Sequence, residues 1–203
     1  MAHYNRRQTP KVKDGRVQKK NRHDLTPNYW SHAPKVPVID KERPGQGYKH
    51  FLRRPDILNF ISILPDWDEL SKGLRAVILA QGGDGYDGSY YHKGVVEICA
   101  WPREKWLEAD KDWYSKHQEL LQRLEISCEE LQNGLMLCKF NVSQIRAYQL
   151  LHIFLHELGH HHDQMTTRSR WRPARGENYA ETYAFAYEQE IWQQYTETFG
   201  LPG

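Results

Sequence analysis

A helical segment that contains the sequence HELGH constrains the fold of this chain more than any other feature. Apolar residues recur there at helical spacing and predict a helix over residues 144–164, with Ser143 as its N-cap. The apolar stripe of this helix consists of Ala147, Leu151, Leu155 and Leu158. The stripe predicts that one face of the helix is buried against the rest of the domain.

Three histidines form an adjoining stripe of the same helix, and two of them belong to HELGH. Residues four apart stack on one helix face, so His156 and His160 can both reach one tetrahedral Zn²⁺ at about 2.0–2.1 Å. Glu157 lies one step round the helix, where it can accept a proton from a water on the metal. We therefore expect one zinc ion per chain, with Glu157 as the general base. A histidine-rich helix without a metal is the alternative.

A catalytic zinc site usually has three protein ligands, so a third ligand must come from elsewhere in the chain. The longer motif HExxHxxGxxH is absent, because the position of its Gly holds Asp163 and the position of its third His holds Thr166. A second predicted helix, between Gly176 and Gly200, offers Glu177 and Glu181 on one face. Its small residues, Ala180 and Ala184, would allow close packing against the HELGH helix. Two solvated carboxylates on a surface helix remain the alternative.

The segments HELGHHHD and ENYAETYA together resemble the gluzincin pattern, which combines HExxH with a downstream Glu. More narrowly, they are similar to the group that contains the catalytic domain of anthrax lethal factor and the Pro-Pro endopeptidases. The resemblance covers about 30 residues of the chain. It implies the metal ligands His156, His160 and Glu177, the general base Glu157, Glu181 as an acceptor that orients a ligand histidine, and Asp163 as the acid that follows the second histidine.

The group that stabilises the oxyanion is not assigned by this resemblance. Relatives in the group have a catalytic Tyr seven residues before the third ligand, where this chain has Arg170. Arg170 and Arg175 could stabilise an oxyanion or bind a substrate carboxylate, and Tyr179 is a further candidate. An Arg-rich surface loop and a packing tyrosine are the alternatives. We expect His152 to hydrogen-bond within the core, and His161 and His162 to be polar flanking residues.

The remaining patterns predict an α+β fold, and the resemblance implies that it is zincin-like. In that fold a small mixed sheet packs on the HELGH helix, and a C-terminal helix supplies the third ligand. Helices are predicted over residues 55–64 and 112–124, and strands over 74–80, 94–100 and 134–140. The stretch QGGDGYDGSY is dense in Gly and Asp and is predicted to turn. A substrate peptide would extend along an edge strand, for which 94–100 and 134–140 are the two candidates.

The charge distribution predicts two regions. Residues 1–48 form a basic stretch with isolated apolar residues, and we expect a disordered N-terminal arm there. Residues 1–50 carry twelve Lys and Arg against four Asp and Glu, whereas residues 51–203 carry 16 against 22. The metallopeptidase domain is expected over residues 49–203. The basic arm could make weak, sequence-independent contacts with nucleic acid that depend on salt.

Cysteine usage and hydropathy predict a cytoplasmic protein. Cys99, Cys128 and Cys138 are few, odd in number and not spaced as CxxC, which favours small unpaired residues in a reducing compartment. The basic N-terminus is followed by no apolar run typical of a secretory signal, and no membrane contact is expected.

Three functions follow from these patterns. The predicted function is a zinc metallopeptidase of the HExxH type that acts on a peptide or protein substrate. The first alternative is a zinc-stabilised binding protein without activity, and the second is a nucleic-acid-associated protein that acts through its basic arm. An intact Glu157 favours the peptidase, because a protein without hydrolytic activity has no chemical need for a base there.

Overall fold

The computed structural model describes residues 12–13, 16–17, 28–83, 87–167 and 174–202. The strands are β1 (Val12–Lys13), β2 (Arg16–Val17), β3 (Val38–Lys41), β4 (Tyr48–Lys49), β5 (Ala76–Ala80), β6 (Gly88–Tyr91), β7 (Val95–Cys99), β8 (Trp101–Pro102), β9 (Trp106–Ala109), β10 (Ser127–Glu130) and β11 (Met136–Lys139). The helices are α1 (Arg54–Ile61), α2 (Trp67–Leu70), α3 (Lys111–Arg123), α4 (Val142–Tyr148), α5 (Leu155–Thr166) and α6 (Gly176–Phe199), with a π-helical segment (Gln149–Phe154) between α4 and α5. The class is α+β, as predicted. Within these ranges no helix has the length and apolar character needed to cross a membrane.

The larger sheet has four strands in the order β3–β5–β7–β6. β3, β5 and β7 run parallel, whereas β6 runs antiparallel to β7 and forms one edge. All five residues of β5 are buried, as expected for a strand that is covered on both faces. Leu79 packs in the main core with the helices, and Ile78 packs with Tyr29 on the opposite face. The sheet therefore forms the middle layer of this part of the domain.

The edge strand beside the HELGH helix is β6, and both predicted edges are wrong. The strand predicted over residues 94–100 is β7, which lies between β5 and β6. The strand predicted over 134–140 is β11, which lies between β10 and β9. β6 comes partly from the stretch that was predicted only to turn, and it packs against α5. Its sequence, GSYY, has no apolar run that would signal a strand.

The smaller sheet, β10–β11–β9, contains a disulfide. Cys128 lies directly opposite Cys138 in the β10–β11 register, and their sulfur atoms are bonded. The expectation of unpaired cysteines is therefore wrong for these two residues. The pairing depends on strand register, because directly opposite side chains are the closest across an antiparallel pair. Cys99, on β7, is half-buried and unpaired.

The HELGH helix is continuous through α4, the π-helical segment and α5. Its N-cap is Asn141 and not Ser143 as predicted. Asn141 Oδ1 accepts from the Gln144 backbone N–H at 2.8 Å, and Gln144 Oε1 accepts from the Asn141 N–H at 2.7 Å. This reciprocal capping box determines where the helix begins. The predicted apolar stripe is buried, and the π-helical segment directly precedes HELGH.

The packing of α5 against α6 is unusually close at one point. A Cβ atom built on Gly159 would lie 2.8 Å from Ala180 Cα and 3.0 Å from the Ala180 carbonyl oxygen. Ala180 and Ala184 are fully buried, which agrees with the predicted close packing of small residues. Because the two nearest contacts at Gly159 are with backbone atoms, a larger residue there would have to move the helix itself.

Residues 28–48 belong to the folded domain. β3 pairs with β5, and Ile39 lies opposite Val77. Tyr29 is only 6% exposed, and its hydroxyl donates to the Asp40 carboxylate at 3.1 Å. The prediction of a disordered arm over residues 1–48 is therefore wrong for this part. Residues 1–11, 14–15 and 18–27, the rest of that predicted arm, lie outside the described residues.

Truncation at two positions tests the contribution of residues 28–48 to stability. Deleting residues 1–48 removes the buried Tyr29 and the half-buried apolar side chains of β3, and the full burial of one apolar side chain contributes about 1.5–3 kcal/mol. We expect a melting temperature about 6–12 °C below that of a chain starting at residue 28, from a loss of about 3 kcal/mol. Equal melting temperatures for the two truncations would contradict the assignment of β3 to the domain.

A Gly159→Ala substitution tests the contact between α5 and α6. The added methyl group would meet the Ala180 backbone, and overpacking of this kind typically costs about 1–3 kcal/mol. We expect a lower melting temperature, although alanine is intrinsically the better helix former. Gly83→Ala is the matched control, because a Cβ atom there has no neighbour within 4 Å. Unchanged stability in Gly159→Ala would contradict the contact.

Candidate metal centre

A cavity of about 690 Å³ lies between β6, α3, the HELGH helix and α6. Its wall contains two groups of residues, and in each group one potential ligand atom per residue lies within 4.8 Å of the others. We name them the His156 cluster, which consists of His156, His160 and Glu177, and the His117 cluster, which consists of His117, His152 and Glu181. The described part of the chain thus has two places where a metal ion could be held.

The His156 cluster joins the HELGH helix to the first turn of α6. His156 Nε2 lies 3.2 Å from Glu177 Oε2, and His160 Nε2 lies 3.4 Å from Glu177 Oε1. Ligands of one tetrahedral zinc, each about 2.0–2.1 Å from the ion, are separated by roughly 3.3–3.4 Å. The three side chains therefore fit a single metal ion without rearrangement of the backbone. The Glu177 side chain is 81% exposed, so it faces the open side of the cluster.

Glu181 determines which nitrogen of His156 is available to a metal. His156 Nδ1 lies 2.9 Å from Glu181 Oε2. Burial raises the pKa of Glu181, but its hydrogen bonds with His117 and His156 outweigh burial and hold the pKa well below its ordinary value. The carboxylate is thus ionised and can only accept, so Nδ1 donates. Nε2, which faces Glu177, is left as the ligand atom, and such a carboxylate partner is typical of metal-binding histidines.

Glu157 lies beside this cluster in the wall of the cavity and is only 7% exposed. Burial raises the pKa of its carboxyl to about 8, although the neighbouring His156 lowers it. A cation on the adjacent ligands would lower this pKa further, because it favours the ionised form. Gly88 of β6 lies directly against the carboxylate: a Cβ atom there would be 2.8 Å from Glu157 Oε1. The Glu157 carboxylate can occupy this position because residue 88 has no side chain.

Asp163 forms hydrogen bonds with the start of α6. No described hydrogen bond joins it to the ligand histidines. It is fully buried and accepts from the Arg175 backbone N–H at 2.8 Å and the Gly176 N–H at 3.2 Å. The Arg175 guanidinium also donates to it at 2.8 Å. Burial raises the pKa of Asp163, but these hydrogen bonds lower it below its ordinary value. The acid predicted to follow the second histidine, Asp163, therefore positions the turn that precedes Glu177.

The three predicted oxyanion or substrate contacts have other partners or lie outside the described residues. Arg175 binds Asp163 and Thr166, and its guanidinium lies 3.8 Å from the centre of the Tyr179 ring. The Tyr179 hydroxyl lies 2.7 Å from His162 Nδ1. Neither residue is part of the cavity wall. Arg170 lies in the segment 168–173, outside the described residues.

His117 is a site residue that the sequence analysis missed. His152 hydrogen-bonds in the core as expected, and its partner is His117 on α3, with the two Nε2 atoms 2.9 Å apart. The sequence does contain a signal for this residue. His117 lies on the buried face of an amphipathic helix, four residues after Trp113, and the two rings stack.

The prediction that His161 is a polar flanking residue is wrong. Its side chain is 2% exposed, and its two ring nitrogens hydrogen-bond with the Tyr90 hydroxyl and the Lys72 carbonyl. His162 is partly exposed beside Tyr179.

Comparison of this chain with protein-family models, with curated proteins and with solved structures finds no match. An assignment of function must therefore rest on the geometry of the cavity and its two clusters.

Proposed function

We propose that this protein is a zinc-dependent peptidase with a zincin-like fold. The observation that carries the proposal is the convergence of His156, His160 and Glu177 on one point, with the buried carboxylate of Glu157 beside it. A cluster that held a structural metal would usually be closed by four protein ligands. Three ligands on the wall of an open cavity instead favour a catalytic site with a position for water or substrate.

In the proposed reaction, different residues of the cavity bind the metal, transfer the proton and position the ligands. Zn²⁺ held by the His156 cluster would supply a Lewis acid that polarises the scissile carbonyl and acidifies water. Glu157 takes the proton from the attacking water and passes it to the leaving amine. Glu181 keeps His156 in the tautomer whose Nε2 faces the metal position. Asp163 holds the start of α6, and with it Glu177, against the HELGH helix.

The exposed edge of β6 supports an extended peptide as the substrate. Among the described residues β6 pairs with β7 alone, so its outer edge has no strand partner there, and its residues line the cavity. Peptides commonly add to such an edge through main-chain hydrogen bonds. Gly88 at the start of β6 lies beside Glu157, which would bring a bound peptide bond close to the general base.

The alternatives from the sequence have weaker support. A metal-stabilised binding protein has no use for a buried carboxylate that faces the cavity at Glu157. A nucleic-acid-associated protein would depend on the basic arm, most of which lies outside the described residues, so that idea stays a prediction. The cytoplasmic location also stays a prediction. The bond between Cys128 and Cys138 counts against it, because disulfides persist mainly in oxidising compartments.

A Glu157→Gln substitution tests the proposed activity. The amide has the size of the carboxylate but cannot take up a proton, so we expect zinc to be retained while hydrolysis falls about 100- to 10,000-fold. The measurement combines elemental analysis of the purified chain with mass spectrometry of a mixed peptide library. Glu190→Gln, at an exposed position of α6, is the matched control and should cleave like the wild type. Equal cleavage by Glu157→Gln and wild type, or a wild-type chain without zinc, would refute the proposal.

A further inference from the structure

Two members of the His117 cluster, His117 and His152, have no part in the proposed hydrolysis, although they converge with Glu181 deep in the same cavity. His117 and His152 are 5% and 6% exposed, and Glu181 is half-buried. His117 Nε2 lies 2.9 Å from His152 Nε2 and 3.2 Å from Glu181 Oε1. His152 Nε2 lies 3.8 Å from Glu181 Oε2. The two separations that involve His117 are slightly shorter than the roughly 3.3–3.4 Å expected between ligands of one tetrahedral zinc. One ligand atom from each of the three residues lies within 4.8 Å of the other two.

The hydrogen bonds around His117 direct a lone pair into the cluster. His117 Nδ1 lies 2.7 Å from the Trp113 backbone carbonyl, which can only accept, so Nδ1 is the donor. In the neutral ring, Nε2 therefore carries the lone pair. It faces the Glu181 carboxylate, which accepts, and the Nε2 atom of His152, which donates or accepts according to the tautomer of that ring. A proton on His117 Nε2 can point either to Glu181 or to His152, but not to both. A cation placed between His117 Nε2, His152 Nε2 and a Glu181 oxygen contacts all three atoms.

We propose that His117, His152 and Glu181 form a second metal site, which takes a divalent transition-metal ion such as Zn²⁺. A backbone carbonyl on the second nitrogen of His117 is a usual partner of a metal-binding histidine. The two imidazoles and one carboxylate are ligands that suit zinc. The site joins α3, the π-helical segment and α6, which meet here around the cavity.

Glu181, a member of the His117 cluster, also contacts His156 and so connects the two clusters. Its Oε1 faces His117, and its Oε2 accepts from His156 Nδ1. A cation bound at Oε1 leaves the bond from His156 intact. Two bound ions would then be separated by the His156 ring and the Glu181 carboxylate. They would not form a close pair about 3.5–4 Å apart that shares one substrate atom. The second ion would fix Glu181, and through it the orientation of His156.

Zinc binding by the full chain tests this inference, which does not rest on the proposed peptidase activity. The chain is stripped with a chelator and equilibrated with Zn²⁺ alone, and bound metal is measured by elemental analysis after gel filtration. We expect two zinc ions per wild-type chain and one in His117→Gln. His152→Gln provides a second test of the same cluster, and circular dichroism shows which variants are folded.

Two further variants complete the experiment. Glu177→Gln should also retain one ion, that of the His117 cluster. His161→Gln replaces a buried histidine outside both clusters and should keep both ions. Loss of an ion from this control would overturn the assignment, because the count would then not follow the cluster residues.

The outcomes separate this inference from the proposed function. One ion in the wild type that is unchanged in His117→Gln overturns the second site and leaves the peptidase proposal standing. One ion that is lost in His117→Gln but kept in Glu177→Gln supports the second site and contradicts the peptidase proposal. If both His117→Gln and His152→Gln fail to fold, Glu177→Gln decides: an ion retained in this variant supports the second site, and loss of all zinc from it overturns the inference.

Discussion

The contact between Gly159 and the backbone of Ala180 is the constraint on which the rest of the site depends. It allows α6 to lie against the HELGH helix closely enough for Glu177 to reach His156 and His160. Asp163 adds a second connection, because its carboxylate accepts from the backbone at the start of α6. Small residues set the distance between the helices, and a buried carboxylate sets where α6 begins. The position of Glu177 relative to His156 and His160 follows from both.

The carboxylates and imidazoles of the cavity face one another. Glu177 faces two imidazole nitrogens, and Glu181 accepts from His156 while it also faces His117. Buried charges are costly unless they are paired or coordinate a metal. The burial of His117 and His152 beside the Glu181 carboxylate distinguishes the cavity from a surface with many histidines and acids. Glu157 has the same character, since burial raises its pKa.

The parts of the site that are close in sequence could be predicted from it. The spacing of His156 and His160 is a local property of one helix, and the four-residue spacing of Glu177 and Glu181 is a property of another. The structure brings these residues together as expected. The α+β class and most helices also followed from local periodicity, although the N-cap was placed at Ser143 and not at Asn141.

The other failures involve contacts between distant segments. β6 becomes an edge strand only through its pairing with β7, and its own sequence reads as a turn. Cys128 and Cys138 meet because of a strand register that spacing does not reveal. His117 lies 35 residues from His152, and Tyr29 is buried by a sheet whose other strands come later in the chain. Composition made the segment around Tyr29 look unfolded, because the residues that cover it are elsewhere.

The most direct test of the central claim is a crystal structure with anomalous diffraction data collected on both sides of the zinc absorption edge. The account predicts an anomalous peak that appears only above the edge, within coordination distance, about 2.0–2.2 Å, of His156 Nε2, His160 Nε2 and a Glu177 oxygen. A crystal grown with zinc in the buffer that shows no such peak at these three atoms, in chains with an ordered Glu177, would contradict it.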